Sequence, residues 1–188
     1  MAEDTIRLRR LAESDWDEVV ALEARAYAES GLSEGREVLR SRGRVSPATC
    51  YVLEYAERFG GYLLALPYPP GRCPELTLPE TETETETETD DADDADGSDG
   101  ADGSDGLGSA NLHAHDFVIT EDLRARGLSP HFVRQFEQEA RSQGFDRISM
   151  VAVQRSWILW RRLGYTAHAD VTLPESYGPK AVYMSKEL

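Results

Sequence analysis

The chain has 188 residues, of which 40% are hydrophobic and 29% are charged, and its formal net charge is −15. This length predicts one domain, residues 1–188, with room for a real core, and no apolar run approaches the roughly 20 residues of a membrane helix. The first twenty residues carry acids such as Glu3 and Asp15 and no apolar segment, so we expect no signal peptide. Cys50 and Cys73 show no disulfide or metal spacing, which predicts small buried or half-buried side chains, no bound metal and a cytoplasmic protein.

The acidity of the chain belongs to one segment. Residues 80–105 contain five Glu, eight Asp and no Lys or Arg, so the rest of the chain is nearly neutral. A neutral domain argues against nucleic acid, whose backbone demands a concentrated basic surface. Residues 77–108 have too few apolar side chains to offset the entropy of ordering, and we expect a disordered acidic loop inserted between two strands. Three alternatives stay open for this segment: it solubilises the protein, it binds a basic partner, or it is a neutral expansion of a repetitive coding tract.

Periodicity predicts the elements before this segment. Ser14-x-x-Asp17 resembles a capping box at the start of a helix, and Gly31 and Gly43 lie near the predicted ends of the next one. A turn near residues 57–60 joins two antiparallel strands. The predicted elements are a strand at 6–10, helices at 14–28 and 33–42, and strands at 50–55 and 61–66.

The same patterns continue after the acidic segment. Phe132, Val133, Phe136 and Ala140 recur at helical spacing and predict the buried stripe of one helix. The predicted elements are a strand at 112–119, a helix at 129–143, a strand at 147–153, a helix at 156–163 and a closing hairpin of residues 165–172 and 181–186. Too few helices separate the strands for a parallel sheet. We therefore expect a mixed α/β (α+β) fold, with about six to seven mostly antiparallel strands and about four flanking helices.

The stretch from Phe117 to Pro130 joins a predicted strand to a predicted helix. Ser129 is a suitable N-cap because its hydroxyl can accept a backbone N–H of the first turn, and Pro130 fits the next position. Gly127 lets the backbone come close to a ligand. Such a turn is either an ordinary capped connection or a phosphate site, formed by free N–H groups and the positive end of the helix dipole.

Residue spacing favours the phosphate site. Arg124-x-x-Gly127-x-Ser129 resembles the Arg/Gln-x-x-Gly-x-Gly/Ala signature of the GCN5-related N-acetyltransferase (GNAT) superfamily, with Ser129 in place of the usual Gly or Ala. The segment from Leu159 to Tyr165 is similar to the family's Leu-Tyr-x-x-Leu-Gly-Phe, and the first and last predicted strands resemble the family's own. These segments occur in the family's order and cover most of the chain outside residues 77–108.

This resemblance implies a GNAT-like sheet in which the strands at 112–119 and 147–153 are neighbours that splay apart. It implies acetyl-coenzyme A as co-substrate, with its pantetheine arm along the first of these strands and its pyrophosphate on the turn. Arg124 and Arg126 would add charge-assisted contacts to phosphate. The residues implied in cofactor binding are Phe117, Val118, Ile119, Arg124, Ala125, Arg126, Gly127, Leu128, Ser129 and Trp160.

The implied reaction moves an acetyl group to the primary amine of a small molecule. Neither cysteine lies in a recognisable activating context, so we expect direct attack in a ternary complex rather than a covalent intermediate. Two alternatives stay open, namely a protein Lys or N-terminus as acceptor and a non-catalytic acyl-CoA-binding module. We expect no nucleic acid and no membrane as partner, and a monomer or homodimer.

The proton chemistry depends on single residues. Trp160 stands where many family members have a Tyr that acts as general acid, and an indole N–H can at best donate a hydrogen bond. We predict Tyr177, in the turn before the last strand, as the acid, or no acid at all because a thiolate can take its proton from water. We predict His115 as the general base, since an imidazole titrates near neutral pH; the alternative is a polar wall residue. By the period of two, His115 would share a strand face with Phe117, unless a bulge breaks the alternation.

Overall fold

The computed structural model of the chain describes residues 5–81 and 110–188. In these ranges the strands are β1 (Ile6–Arg10), β2 (Tyr51–Tyr55), β3 (Arg58–Pro67), β4 (Asn111–Ile119), β5 (Arg147–Ala152), β6 (Thr166–Ala167) and β7 (Val182–Glu187). The α-helices are α1 (Trp16–Ala26), α2 (Arg36–Val45), α3 (Glu121–Ala125), α4 (Ser129–Ser142) and α5 (Trp157–Arg162). The strands form one sheet in the order β1-β2-β3-β4-β5-β7-β6. Every neighbouring pair is antiparallel except β4 and β5, which confirms the predicted mixed, mostly antiparallel sheet.

Helices cover both faces of this sheet. On one face, α4 places Val133, Phe136 and Ala140 against Leu63 and Ile148, as the predicted stripe requires. The opposite face packs on α1 and α2 through Trp16, Val19, Leu22, Leu39, Tyr62 and Leu64. Burial of each large apolar side chain contributes about 1.5–3 kcal/mol, so these two layers hold the sheet. No helix in the described ranges is both long and apolar enough to cross a membrane.

Two details of α1 and α2 differ from the sequence prediction. Gly43 lies within the last turn of α2 rather than just after the helix, and a Cβ there would stand 2.6 Å from Cζ2 of Trp16. The missing side chain lets the two helices meet closely at the indole. The capping box at Ser14 is also wrong, since α1 begins at Trp16 and the Asp15 carboxylate accepts the Ala12 N–H at 2.7 Å.

The strands β4 and β5 are paired at one end only. Their parallel register runs from Asn111 opposite Arg147 to His113 opposite Ser149 and then stops, which confirms the splayed pair. The Ser149 hydroxyl ties the closed end together, because Asn111 Nδ2 donates to it at 2.8 Å and His113 Nδ1 lies 3.0 Å from it. Beyond this point a gap opens between the two strands.

A β-bulge interrupts β4 at His115. Consecutive residues of β3 pair with Ala114 and Asp116, so His115 is an extra residue on β4. Such a bulge shifts the alternation of side chains by one. Asp116 therefore contacts Tyr27 of the segment after α1, whereas Phe117 packs in the layer under α4. The expectation that His115 shares a face with Phe117 is wrong, and the bulge is the reason.

Part of the predicted disordered segment, residues 77–108, is folded. Residues 82–108 of that segment lie outside the described residues, whereas Glu80 is 7% exposed and belongs to the folded domain. The Glu80 N–H donates to Ser41 Oγ at 2.9 Å, and its carboxylate pairs with Arg42 at 2.6 Å. We call residues 74–80 the strap.

Candidate active site

A cavity of about 540 Å³ follows the gap between β4 and β5. It begins at the turn before α4, passes along β4 and α5, and ends near α1, the loop before α2 and the strap. The turn end is lined by Arg124, Gly127, Ser129 and Pro130. The middle is lined by Phe117, Val118, Ile119, Met150, Leu159 and Trp160. The buried end is lined by Ala26, Tyr27, Leu32, Glu34, Leu76, His115, Asp116 and Tyr177.

The turn end is built around Gly127. Its φ is +73°, which favours glycine, and a Cβ here would meet nothing within 4 Å. The turn has fewer free donors than predicted, since the N–H groups of Arg124, Gly127 and Leu128 donate to carbonyl oxygens within it. Ser129 is not the N-cap, because Leu128 occupies that position and Ser129 is the first helical residue. Among the described residues, the Ser129 N–H makes no backbone hydrogen bond, so it is a donor that this end retains.

Three residues predicted to bind the cofactor do not line the cavity. The Arg126 guanidinium lies over the Tyr55 ring, 4.5 Å from its centroid, and donates to the Tyr55 hydroxyl at 2.6 Å. In this arrangement the Arg126 guanidinium is engaged outside the cavity, and its contact with phosphate stays a prediction. Leu128 packs with the apolar cluster around Phe132, and Ala125 is exposed. Of the two arginines predicted at phosphate, the cavity includes Arg124.

Aromatic packing forms the middle of the cavity. Trp160 is 6% exposed and meets Phe117 of β4 with 5.6 Å between ring centroids. It also meets Tyr165 at 5.1 Å, and both contacts are edge to face. The indole is thus fixed as a wall of the gap, in the position where the sequence predicts packing rather than acid catalysis.

The buried end centres on the bulged residue His115. It lines the cavity, yet its imidazole is 0% exposed, so its exposed surface belongs to the backbone. Nε2 lies 2.6 Å from Oε1 of Glu34, and Nδ1 is buried without a hydrogen-bond partner among the described residues. Burial lowers the pKa of His115 despite the nearby Glu34 carboxylate, so the imidazole is neutral at neutral pH. A neutral ring that donates Nε2–H to Glu34 presents Nδ1 as a proton acceptor.

Glu34 belongs to a buried ionic network. Its Oε2 accepts from Arg42 Nε at 2.9 Å and from Nη2 at 2.5 Å. The same guanidinium, 0% exposed, pairs with Glu80 at 2.6 Å and donates to the Glu75 carbonyl at 2.8 Å. One arginine therefore joins the strap to the loop that carries Glu34, the partner of His115, and its single positive charge is shared by the two buried carboxylates.

Asp116 adds a second carboxyl group to the buried end. Tyr27 donates to its Oδ1 at 2.7 Å, and Tyr62 donates to its Oδ2. Asp116 is 4% exposed, and burial, together with the nearby Glu34, raises its pKa to about 7. Both donors are neutral, so neither compensates the charge of ionised Asp116.

Tyr177 lies in the wall beside the strap. It is 6% exposed, and its hydroxyl donates to the Pro74 carbonyl at 2.7 Å. Burial raises the pKa of Tyr177 well above its usual value. The contact holds the strap, whose Leu76 lines the cavity, against the turn before β7. The structure thus brings Tyr177 and His115 to one cavity, with the Tyr177 proton engaged by a carbonyl oxygen.

Sequence reasoning missed the residues that hold the buried end together, which are Tyr27, Glu34, Arg42, Tyr62 and Glu80. One signal was available, because Arg42 follows Leu39 by three residues and so lies on the buried stripe of α2. A buried cation requires a partner, but no sequence pattern says which acid supplies it. In the described ranges, no three His, Cys, Asp or Glu side chains are arranged to hold a metal ion.

Comparison with solved structures relates this fold to known ones. The loading GNATL domain of CurA from Lyngbya majuscula matches with a TM-score of 0.66 at 15% identity, covering 97% of this chain and 98% of that one. An acetyltransferase of the GNAT family from Staphylococcus aureus MU50 matches with a TM-score of 0.61 at 8% identity, covering 97% and 99%. N-acetylglutamate synthase from Neisseria gonorrhoeae, complexed with coenzyme A and N-acetyl-glutamate, matches with a TM-score of 0.64 at 14% identity, covering 99% of this chain and 36% of that one. No protein-family model and no curated protein matches the chain. The sheet order, the splayed strands and these neighbours together show that the chain has the fold of the GCN5-related N-acetyltransferases.

Proposed function

We propose that the chain transfers an acetyl group from acetyl-coenzyme A to the primary amine of a small molecule, by direct attack in a ternary complex. One observation carries the proposal. A single cavity joins the N-terminus of α4, through the gap between β4 and β5, to a buried end that holds an imidazole and two carboxyl groups. This arrangement suits a cofactor and an acceptor that enter from opposite sides and meet between the strands.

The turn end would receive the pyrophosphate of the cofactor. The open space beside Gly127 admits a phosphate, the Ser129 N–H and hydroxyl can donate to it, and Arg124 adds positive charge. The pantetheine arm would then follow the free edge of β4 from Ile119 to Phe117. Trp160 packs on Phe117 and would form the other wall of this channel.

The bulge would supply a donor for the thioester. The extra residue of a bulge is left out of the strand ladder, and the exposed surface of His115 is backbone. A His115 N–H directed at the thioester carbonyl would stabilise the oxyanion that forms as the amine attacks.

The ammonium group would lose its first proton to His115. The ring is neutral, Glu34 holds its Nε2–H, and Nδ1 has no partner among the described residues. Because the imidazole is 0% exposed, the ring would have to move toward the cavity before it takes the proton, directly or through one water. Glu34 would stabilise the imidazolium that results.

The second proton of the amine would leave with the cofactor. As the C–N bond forms and the C–S bond breaks, this proton passes to the thiolate through solvent and gives the free thiol. Trp160 has no acidic proton at neutral pH. Tyr177 is the other candidate donor, but its hydroxyl is engaged with the Pro74 carbonyl, which favours water as the source.

The strap favours a small acceptor over a protein. It forms part of the wall at the buried end and is fixed there by the hydrogen bond from Tyr177 to Pro74 and the ion pair of Arg42 with Glu80. A peptide, or a Lys side chain on a folded protein, would have to displace it. A small amine fits beside Leu76 without breaking these contacts.

The test is a screen of small primary amines with acetyl-coenzyme A that follows release of free thiol. We expect turnover, and we expect His115→Gln to lower kcat about 100-fold. The pKa of His115 is lowered, so the base is lost only as the pH falls below 6.5, and the variant should lack that acidic limb. His168→Gln, at a histidine that contacts Ser185 away from the cavity, is the control and should leave kcat unchanged.

Two outcomes would contradict the proposal. Coenzyme A binding without thiol release for any amine would leave a non-catalytic acyl-CoA-binding module. A near-normal kcat in His115→Gln, with the acidic limb still present, would reduce His115 to a wall residue.

A further inference from the structure

Neutral donors hold two carboxyl groups, one in the lining of the buried end of the cavity and one behind it. Asp116 accepts from the hydroxyls of Tyr27 and Tyr62. Glu23 is 1% exposed and accepts the Ser33 hydroxyl at 2.7 Å and the backbone N–H of residue 34 at 2.6 Å. Such donors orient a carboxylate without cancelling its charge, so the buried end has a negative potential.

Glu34 adds to this negative potential because its charge is only partly neutralised by a cation. Its partner Arg42 is shared with Glu80, so two carboxylates face one guanidinium. The raised pKa of Asp116, to about 7, is the expected response of a buried acid beside these carboxylates. A group with positive charge would therefore gain by entering this end, and a group with negative charge would lose.

Among the described residues, the lining of this end has no cationic side chain to receive a carboxylate. Among the described residues that line the cavity, Arg124 is the one Lys or Arg, and it lies at the turn end. The remaining walls of the buried end are apolar, with Ala26, Leu32 and Leu76 facing the space. The unpartnered Nδ1 of His115 is a buried acceptor in the same place, and a donor would satisfy it.

We infer that the acceptor is a primary amine with an apolar body and no carboxylate, bound as its ammonium ion at the negative buried end. The inference rests on the proposed function, since it names the substrate class of that site. The ammonium group is attracted by Glu34 and Asp116 before it loses its proton. The carboxylate of an amino acid with the same side chain would meet those two acids, and like charges placed together in a site repel each other.

The experiment compares phenethylamine with L-phenylalanine, which share a skeleton and differ by one carboxylate. Their binding to the full chain saturated with coenzyme A is measured by calorimetry, so the result does not require turnover. L-phenylalaninamide, with a neutral amide in place of the carboxylate, is the control for size. We expect phenethylamine and the amide to bind at least about 10-fold more tightly than L-phenylalanine.

The outcomes separate the inference from the proposed function. The first titration, with coenzyme A alone, tests the proposed function, and a failure to bind would contradict that proposal. With coenzyme A bound, three results would overturn the inference: L-phenylalanine binds as tightly as phenethylamine, the amide binds as weakly as L-phenylalanine, or none of the three binds.

Two nearly isosteric variants test the charge itself. At pH 8, above the Asp116 pKa of about 7, Asp116→Asn removes a charge from the lining, and Glu23→Gln removes one from behind it while keeping an oxygen that can accept. We expect each to reduce the preference for phenethylamine over L-phenylalanine by about 3-fold or more. Glu23→Gln decides the question if Asp116→Asn does not fold, and an unchanged preference in a folded variant would contradict the electrostatic origin. If neither variant folds, the wild-type comparison decides.

Discussion

The two ends of the cavity are built in different ways. The turn end consists of backbone, with a glycine at positive φ and a helix N-terminus that are adjacent in sequence. The buried end consists of side chains from four separate segments, and those of His115, Glu34, Arg42 and Glu80 are at most 4% exposed. A site made of backbone groups depends on one local backbone conformation. A site made of interacting side chains depends on the presence of each of those side chains. The turn end should therefore respond to charge and shape at one position, and the buried end should respond as a unit.

The largest effect is expected from Arg42→Met, which tests the unit character of the buried end. It leaves Glu34 and Glu80 buried without their shared cation and should lower the free energy of unfolding by about 3–5 kcal/mol. The control is Arg36→Met on the same helix, whose partner Asp17 is 86% exposed, and it should cost less than about 1 kcal/mol. Chemical denaturation measures both. Equal losses in the two variants would show that the network does not act as described.

Gly127→Glu tests the turn end. A carboxylate beside the expected pyrophosphate should weaken coenzyme A binding at least about 100-fold. Gly127→Lys places a side chain at the same positive φ as Gly127→Glu, but with the opposite charge. It should therefore weaken coenzyme A binding much less than Gly127→Glu does. Calorimetry on both folded variants separates charge from backbone strain. Unchanged affinity for coenzyme A in Gly127→Glu would show that the pyrophosphate does not bind at this turn.

Two segment replacements, which differ only in where they begin, test whether the folded domain extends to Glu80. Replacing residues 78–107 with the same number of Gly and Ser residues removes Glu80 from Arg42 and should cost about 1–3 kcal/mol of unfolding free energy. Replacing residues 83–107 in the same way retains Glu80 and should change stability by less than about 0.5 kcal/mol, since loop length is constant. If the shorter replacement destabilises the domain as much, the cause lies beyond the strap.

The last prediction is a pH trend in stability at Asp116. Because its folded pKa is raised from 3.8 to about 7, the folded state keeps the proton while the unfolded chain loses it, and stability falls as the pH rises through that window. Asp116→Asn cannot titrate, so its melting temperature relative to the wild type should rise between pH 5 and pH 8. The lowered pKa values of His113 and His115 give the opposite trend in both proteins and should largely cancel in the difference. A constant difference would place the Asp116 pKa near its ordinary value.

Sequence patterns predicted the turn end because its parts lie close together in the chain. The spacing of Arg124, Gly127 and Ser129 located it, and the apolar stripe of α4 placed a helix after it. The details of the turn still depended on tertiary structure. Its N–H groups are largely used within the turn, and Arg126 turns to the ring of Tyr55, a residue distant in sequence.

The network that holds the buried end together was beyond the reach of these patterns, although His115 and Tyr177 were predicted there. Its contacts join Tyr27, Glu34, Arg42, Glu80 and Asp116, and no local period links them. The bulge was equally hidden, because an extra residue leaves regular alternation on both sides of it. Counting by two through the bulge then assigns every later residue of β4 to the wrong face.

The bulge also determines how this protein could gain or lose its central histidine. Ala114 and Asp116 already pair with consecutive residues of β3, so deletion of His115 would leave them as regular neighbours on opposite faces. The loss of a single codon would therefore remove the imidazole and its backbone N–H together without repacking either core. By the same geometry, one inserted codon in an ordinary strand is enough to create both groups in the gap. This position can therefore change by deletion or insertion as well as by substitution. Deletion of His115 removes the bulge and keeps β3 and β4 in register, whereas a substitution at His115 keeps the bulge.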